Sequence, residues 1–225
     1  MTRNISFAPR EYYHLYNRGT DKRNIFSLKN DYERFTSLLY LCNSEQAVHI
    51  QMQGQNLNTI FKLNSNKGDC LVEICAYCLM PNHFHLLVRE KEDKGISRFM
   101  QKLTTGYTMY FNKRHDRNGS LFQGTFKSRH VSEDRYLSYL ISYIHLNPIK
   151  ILEPNWKNTG IPDRAKANKF LENYPWSSYQ AYFGIKRPEN VLLETKALPE
   201  YAENFRDFKT MTNEWLKLKN LYLQG

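Results

Sequence analysis

Two apolar runs of strand length, residues 70–80 and 83–90, are separated only by Pro81-Asn82, a pair whose chemistry suits a turn. Two strands joined this closely form a hairpin, and the rest of the chain must be arranged around it. An earlier run, 11–18, alternates polar and apolar residues and stops at Gly19, so it reads as another strand. Residues 31–42 place Tyr32, Phe35, Leu38, Leu39 and Cys42 at helical spacing. The clearest helix is 96–114, where Ile96, Phe99, Met100, Leu103, Tyr107, Tyr110 and Phe111 share an arc of about 120°. Thr104, Thr105 and Gly106 lower its intrinsic propensity by about 2 kcal/mol in total, which the apolar face should override. After Asn118-Gly119, residues 121–131 read as extended and basic. Ser132 is the expected N-cap of a last helix through 136–146, with Glu133 and Asp134 in its first turn and Pro148 as its stop. Strands and helices alternate, so the class is α+β, one sheet covered by helices.

The chain has 225 residues, 41% hydrophobic, enough to build a core and to exclude global disorder. Charge interrupts every apolar run before 18 residues, so no membrane span is expected. Residues 1–4 lead into no apolar signal segment, and four cysteines suit a reducing cytoplasm better than a disulfide scaffold. Residues 1–185 read as one domain with a loop insertion at 44–69. Residues 186–225 read as a C-terminal extension of helical pattern whose role the residues do not define.

The formal charge of +10 suggests a polyanionic partner. The window 94–130 holds eight basic residues and a single acid, Asp116. On the 96–114 helix, Arg98, Lys102 and Lys113 form a stripe apart from the apolar face, with Arg114 beside it. Lys127, Arg129 and His130 follow on the extended stretch. These residues are the candidate nucleic-acid contacts, and reversing Arg98 and Lys102 to Glu should then weaken binding and flatten its salt dependence.

Two local patterns carry chemistry. His83 and His85 alternate along a strand, so they share one face while Phe84, Leu86 and Val88 take the other. Two imidazoles so placed can bind one metal ion together, or can simply be hydrogen-bonded strand residues. Tyr143 and Asn147 lie four apart on a helix and therefore on one side of it. A phenol can act as a nucleophile and an amide oxygen as a metal ligand, although Tyr136, Leu140 and Tyr143 could equally be a core stripe.

Met80-Pro-Asn-His-Phe-His-Leu-Leu-Val88 and Tyr143-Ile-His-Leu-Asn-Pro148 together resemble the single-tyrosine transposases that carry a His-hydrophobic-His (HUH) motif. The branch most similar is the REP-associated tyrosine transposases. Residues 13–19, 110–112, 119–124 and 176–179 also fit that pattern, in order, over about 11–183. The resemblance implies a ferredoxin-like antiparallel sheet, with the histidines on a central strand and the tyrosine on a helix packed nearby. It implies His83, His85 and Asn147 as metal ligands, Tyr143 as nucleophile, and single-stranded, often hairpin, DNA as substrate. Mixed nitrogen and oxygen ligands suit Mn²⁺, and Mg²⁺ where water and phosphate complete the shell. Relatives are read both as monomers and as dimers, so a homodimer stays open.

Three other readings compete. Cys75 and Cys78 with His83 and His85 could hold zinc, but an odd spacing in a strand should send the two thiols to opposite faces. A phosphoesterase using His-x-His-x-His lacks its third histidine, because position 87 is Leu. A catalytically silent DNA-hairpin-binding descendant is not decided by residues alone. His145 is secondary to Tyr143 on the same helix.

Overall fold

The computed structural model describes residues 6–46, 56–63 and 68–200. Four strands, β1 (Tyr12–Arg18), β2 (Val72–Met80), β3 (His83–Glu90) and β4 (Lys127–Val131), form one sheet in the order β2-β3-β1-β4. All three neighbouring pairs are antiparallel. Helix α1 (Lys29–Leu41) connects β1 to the β2–β3 hairpin, and α3 (Gly95–Arg114) connects β3 to β4. This is the ferredoxin-like plan, and β3 is a central strand as expected.

The two sheet faces have different partners. Tyr13 and Leu15 of β1, and Phe84, Leu86 and Val88 of β3, pack with Phe35 and Leu38 of α1 and with Ile96, Phe99, Met100, Leu103 and Tyr107 of α3. Each such fully buried side chain contributes about 1.5–3 kcal/mol. On the opposite face Cys78, Leu87 and Val131 pack under Leu137, Leu140, Ile141 and Ile144 of α4 (Asp134–Leu146). Right-handed crossovers put α1 and α3 on one side, which leaves the other side to α4. Among the described residues no helix is long and apolar enough to cross a membrane.

Helix α3 starts where Gly95 passes close to Leu71, whose carbonyl oxygen would lie 2.3 Å from any Cβ there. Gly106 in the same helix is different. An added Cβ would meet only Leu38 methyl carbons at 3.5 and 3.8 Å, an ordinary contact. Gly106→Ala is therefore expected to stabilise the fold by about 0.5–1 kcal/mol, read as a higher urea midpoint. A lower midpoint would show that Leu38 cannot accommodate the methyl group.

Several boundaries differ from the sequence reading. The N-cap of α4 is Glu133, not Ser132, because the chain stays extended one residue longer after β4. Pro148 does not stop the helical path. Asn147 (φ −54, ψ −39) and Pro148 (φ −59, ψ −23) keep helical dihedrals into α5 (Ile149–Leu152). Within the stretch read as a loop insertion, α2 (Leu57–Leu63) is helical, and its buried Phe61 ring sits 5.0 Å from Tyr40. Residues 186–200 form 3-10 turns (Pro188–Leu192, Thr195–Ala197) that pack Leu192, Ala197 and Leu198 into the two cores. Glu194 N donates to Ile74 O of β2 at 2.9 Å, so this part of the extension belongs to the fold. Residues 201–225, the rest of that extension, lie outside the described residues.

Candidate active site

On the α4 side of the sheet, strand alternation lines up Tyr12, His14 and Tyr16 of β1 beside His83, His85 and Leu87 of β3. Tyr16 is the register partner of His85, and Cys78 of β2 flanks His85 on its other side. The rings of His83 and His85 lie 5.0 Å apart and perpendicular. Both histidines thus share a face, as the alternation requires.

His83 is half-buried at the mouth of the hairpin, and its Nδ1 lies 2.6 Å from Asn82 Oδ1. An amide oxygen only accepts, so the His83 proton sits on Nδ1 and its Nε2 keeps a lone pair. Burial, with help from the charges of Lys150 and Arg18, pulls the His83 pKa down to about 4. Burial and the Arg129 charge bring His14 down to about 3. Both imidazoles are therefore neutral at pH 7, the form that can ligate a metal.

Helix α4 delivers the tyrosine. The half-buried Tyr143 ring stands edge-on to His85 at 5.5 Å and to His14 at 6.1 Å. Tyr139 and Tyr136 continue away from it as a run of near-parallel rings, 6.1 and 5.8 Å apart. Arg129 of β4 covers the far end, 4.7 Å above Tyr136. Of the three helix tyrosines it is Tyr143 that meets the histidines. Burial raises its pKa, as do Tyr16, Tyr136 and Cys78, against a hydrogen bond with Asn147.

The Asn147-Pro148 pair has a local logic. Proline offers no N–H to Ile144 O, and the Asn147 N–H approaches that oxygen at 3.4 Å. The Asn147 side chain serves the preceding carbonyl, Nδ2 donating to Tyr143 O at 2.8 Å. That bond orients the amide, and Asn147 Oδ1 accepts from Lys150 Nζ at 3.3 Å. Asn147 is 1% exposed, and its oxygen already faces a cation. The Lys150 ammonium also lies 5.9 Å from the Tyr143 ring. Burial lowers the Lys150 pKa.

His83, His85 and the Asn147 oxygen therefore fit a divalent cation by donor chemistry, and His83 also by its neutral state. Among the described residues no three His, Cys, Asp or Glu side chains converge to hold one. The zinc reading fares differently from its expectation. A bulge at Ile74/Ala76 lets Cys75, Ala76 and Cys78 all enter the core layer under α4, so the two thiols are not split between faces. Both are fully buried, and burial pushes both thiols well above their ordinary pKa, away from the thiolate that zinc needs.

The structure divides the basic residues. Lys127 and Arg129 are exposed on the face of β4 that adjoins Tyr16 and His14. His130 points to the other face, where its ring lies 5.2 Å from Tyr13 and its Nε2 pairs with Glu11 at 2.7 Å. Helix α3, with Arg98, Lys102, Lys113 and Arg114, covers the sheet face opposite the histidines. Arg98 pairs with Glu92 at 2.7 Å, Arg114 approaches Asp31 at 3.6 Å, and Lys102 Nζ donates to the carbonyls of Ser44 and Gln46. The stripe that lies between the two motifs in sequence does not lie between them in space.

His145 belongs to the core, where its Nε2 meets Ser178 Oγ at 2.7 Å and its ring packs 4.7 Å from Tyr182. His14, Tyr16 and Lys150 were not singled out from sequence. Alternation in β1 was the available signal for the first two. For Lys150 only the i+3 spacing from Asn147 pointed to it.

A model of the family described as Transposase IS200 like matches residues 10–147. Among solved structures, a REP-associated tyrosine transposase bound to a REP hairpin superposes with a TM-score of 0.53 at 13% identity, over 84% of this chain and 90% of that one. A transposase structure from Deinococcus radiodurans R1 matches at 16% identity over 62% of this chain and 93% of that one, with a TM-score of 0.33. A search of curated proteins returns no match.

Proposed function

Because the chain belongs to the IS200-like transposase family, we propose that it cuts and rejoins single-stranded DNA through Tyr143. The observation that carries this reading is the Tyr143 ring held 5.5 Å from His85, one helical turn before a buried Asn147 whose oxygen faces a cation. In the forward step Tyr143 Oη loses its proton and attacks phosphorus, the P–O3′ bond breaks, and the 3′ oxygen takes up a proton. The DNA is then linked to Tyr143 through its 5′ phosphate. Attack by a 3′ hydroxyl reverses the step without ATP, because the phosphotyrosine ester conserves the bond.

His83 and His85 would present neutral ring nitrogens and Asn147 its oriented oxygen. A divalent cation held there, Mg²⁺ or Mn²⁺, would polarise the phosphate and stabilise the leaving oxygen. Lys150, whose Nζ donates to the same amide oxygen, would add positive charge there when protonated. Tyr16, 37% exposed on this face, offers a ring on which an unpaired base can stack. The REP hairpin of the structural neighbour supports a folded repeat as the form in which the strand is recognised. The setting would be the bacterial cytoplasm. A binding-only role is the second reading, and the complete set of Tyr143, His83, His85 and Asn147 argues against it. Incubation with single-stranded oligonucleotides and Mn²⁺ should yield a covalent protein–DNA adduct on a denaturing gel. No adduct across a broad hairpin library would favour binding only.

We also place the phosphate track nearest the site on β4. Lys127→Glu with Arg129→Glu should weaken single-stranded DNA binding by about 10- to 100-fold and make the salt slope shallower by about 1.4, for two lost phosphate contacts. Arg98→Glu on α3, by contrast, should change affinity by less than about threefold. Anisotropy titrations at several salt concentrations distinguish the two surfaces, and the reverse ranking would restore α3 as the principal track.

A further inference from the structure

We propose that His14 is a positioning residue that selects the tautomer of His85 able to bind a cation. The proposal rests on the reading of His85 as a ligand and deepens it. His14 Nε2 and His85 Nδ1 lie 2.9 Å apart, and both residues are 6% exposed. Their ring centroids lie 5.0 Å apart with an interplanar angle of 22°. In the sheet His14 pairs with Leu87, so it reaches His85 as a diagonal cross-strand neighbour on the same face.

A neutral imidazole carries one ring proton, and an N···N contact this short needs a single proton between the two nitrogens. With both rings neutral, the state a ligand requires, only two arrangements satisfy it. If His85 Nδ1 holds the proton and donates to His14 Nε2, the His85 Nε2 carries no proton and keeps its lone pair. If His14 Nε2 holds it, the proton of His85 is on its own Nε2, and that atom cannot ligate. Cation binding through His85 Nε2 therefore requires His14 to be the acceptor.

His83 shows the same requirement met by another residue. Asn82 Oδ1 accepts from His83 Nδ1 at 2.6 Å, which leaves Nε2 unprotonated. His14 would do for His85 what Asn82 does for His83. Both histidines would then present Nε2, each with its Nδ1 proton held. His14 is not itself a third ligand in this scheme, since no three His, Cys, Asp or Glu side chains among the described residues converge on one point.

The test uses the full chain and Mn²⁺ alone, titrated calorimetrically. His14→Phe keeps a ring in place but cannot accept, and should weaken Mn²⁺ binding by about 10- to 100-fold. His14→Gln retains a side-chain oxygen that can take the same bond, and should stay within about threefold of the parent. Circular dichroism and urea midpoints verify that each variant is folded. The tautomer is also readable without substitution, from nitrogen-15 imidazole spectra of the metal-free parent, where the His85 proton is expected on Nδ1. A proton on His85 Nε2, or a folded His14→Phe protein with parental Mn²⁺ affinity, overturns the proposal. His85→Ala separates this failure from that of the site. If His85→Ala still binds Mn²⁺ as the parent does, the ligand assignment falls and His14 falls with it. If only the His14 results go against expectation, the site stands without it.

Discussion

Tyr143→Phe is expected to abolish the covalent protein–DNA adduct while leaving the fold and DNA binding in place. The substitution removes one oxygen and keeps the ring. The edge-on contacts to His85 and His14, the parallel packing on Tyr139 and the approach of Lys150 all involve that ring, so they persist. Loss of the hydroxyl should change stability by no more than about 1 kcal/mol, the net value of a hydrogen bond. Without Oη no phosphotyrosine can form, and the loss should be complete. Tyr139→Phe and Tyr136→Phe provide the contrast, because their rings lie progressively farther along α4 toward Arg129. Both should still form adduct. An adduct that survives in Tyr143→Phe, or disappears in Tyr139→Phe alone, would move the nucleophile elsewhere on the helix.

The second large effect is expected at His85. His85→Ala should weaken Mn²⁺ binding by more than the about 10- to 100-fold that loss of an outer-shell partner costs, and adduct formation should fall with it. His85 is held between Tyr16 and Cys78 on the central strand, and its ring is the one that meets both His14 and Tyr143. Its removal leaves the exposed Lys127 and Arg129 untouched, so affinity for single-stranded DNA should stay within about threefold. Separate calorimetry with Mn²⁺ and anisotropy with DNA resolve the two quantities. A His85→Ala protein that binds Mn²⁺ and forms adduct like its parent would remove the histidine pair from the chemistry. Adduct loss with unchanged Mn²⁺ affinity would make His85 a contact to DNA instead.

Much of this site is legible in the amino-acid sequence, because its parts are local. A two-residue period puts His83 and His85 on one face wherever the strand lies. An i,i+4 spacing puts Tyr143 and Asn147 together wherever the helix packs. The apolar arc of 96–114 marks the face of α3 that Phe99, Leu103 and Tyr107 bury. Other features depend on atoms far apart in sequence, or on a side chain that rescues the backbone. The bulge in β2 moves Cys75 into the same layer as Cys78 against the expected alternation. The Asn147 side chain satisfies Tyr143 O where helical dihedrals run on through a proline expected to end the helix.

Periodicity states which residues share a face but not which side of a sheet that face meets. The sequence by itself determined the four strands, the helices of 31–42, 96–114 and 136–146, the pairing of two histidines and the pairing of Tyr143 with Asn147, because hydrophobic period and turn chemistry act over a few residues. Only the tertiary structure decided that α3 and its basic stripe cover the opposite side, that β4 brings Lys127 and Arg129 to the site, and that His14 lies against His85. Those outcomes follow from strand order, crossover hand and cross-strand register, which are properties of the assembled sheet and not of any one segment.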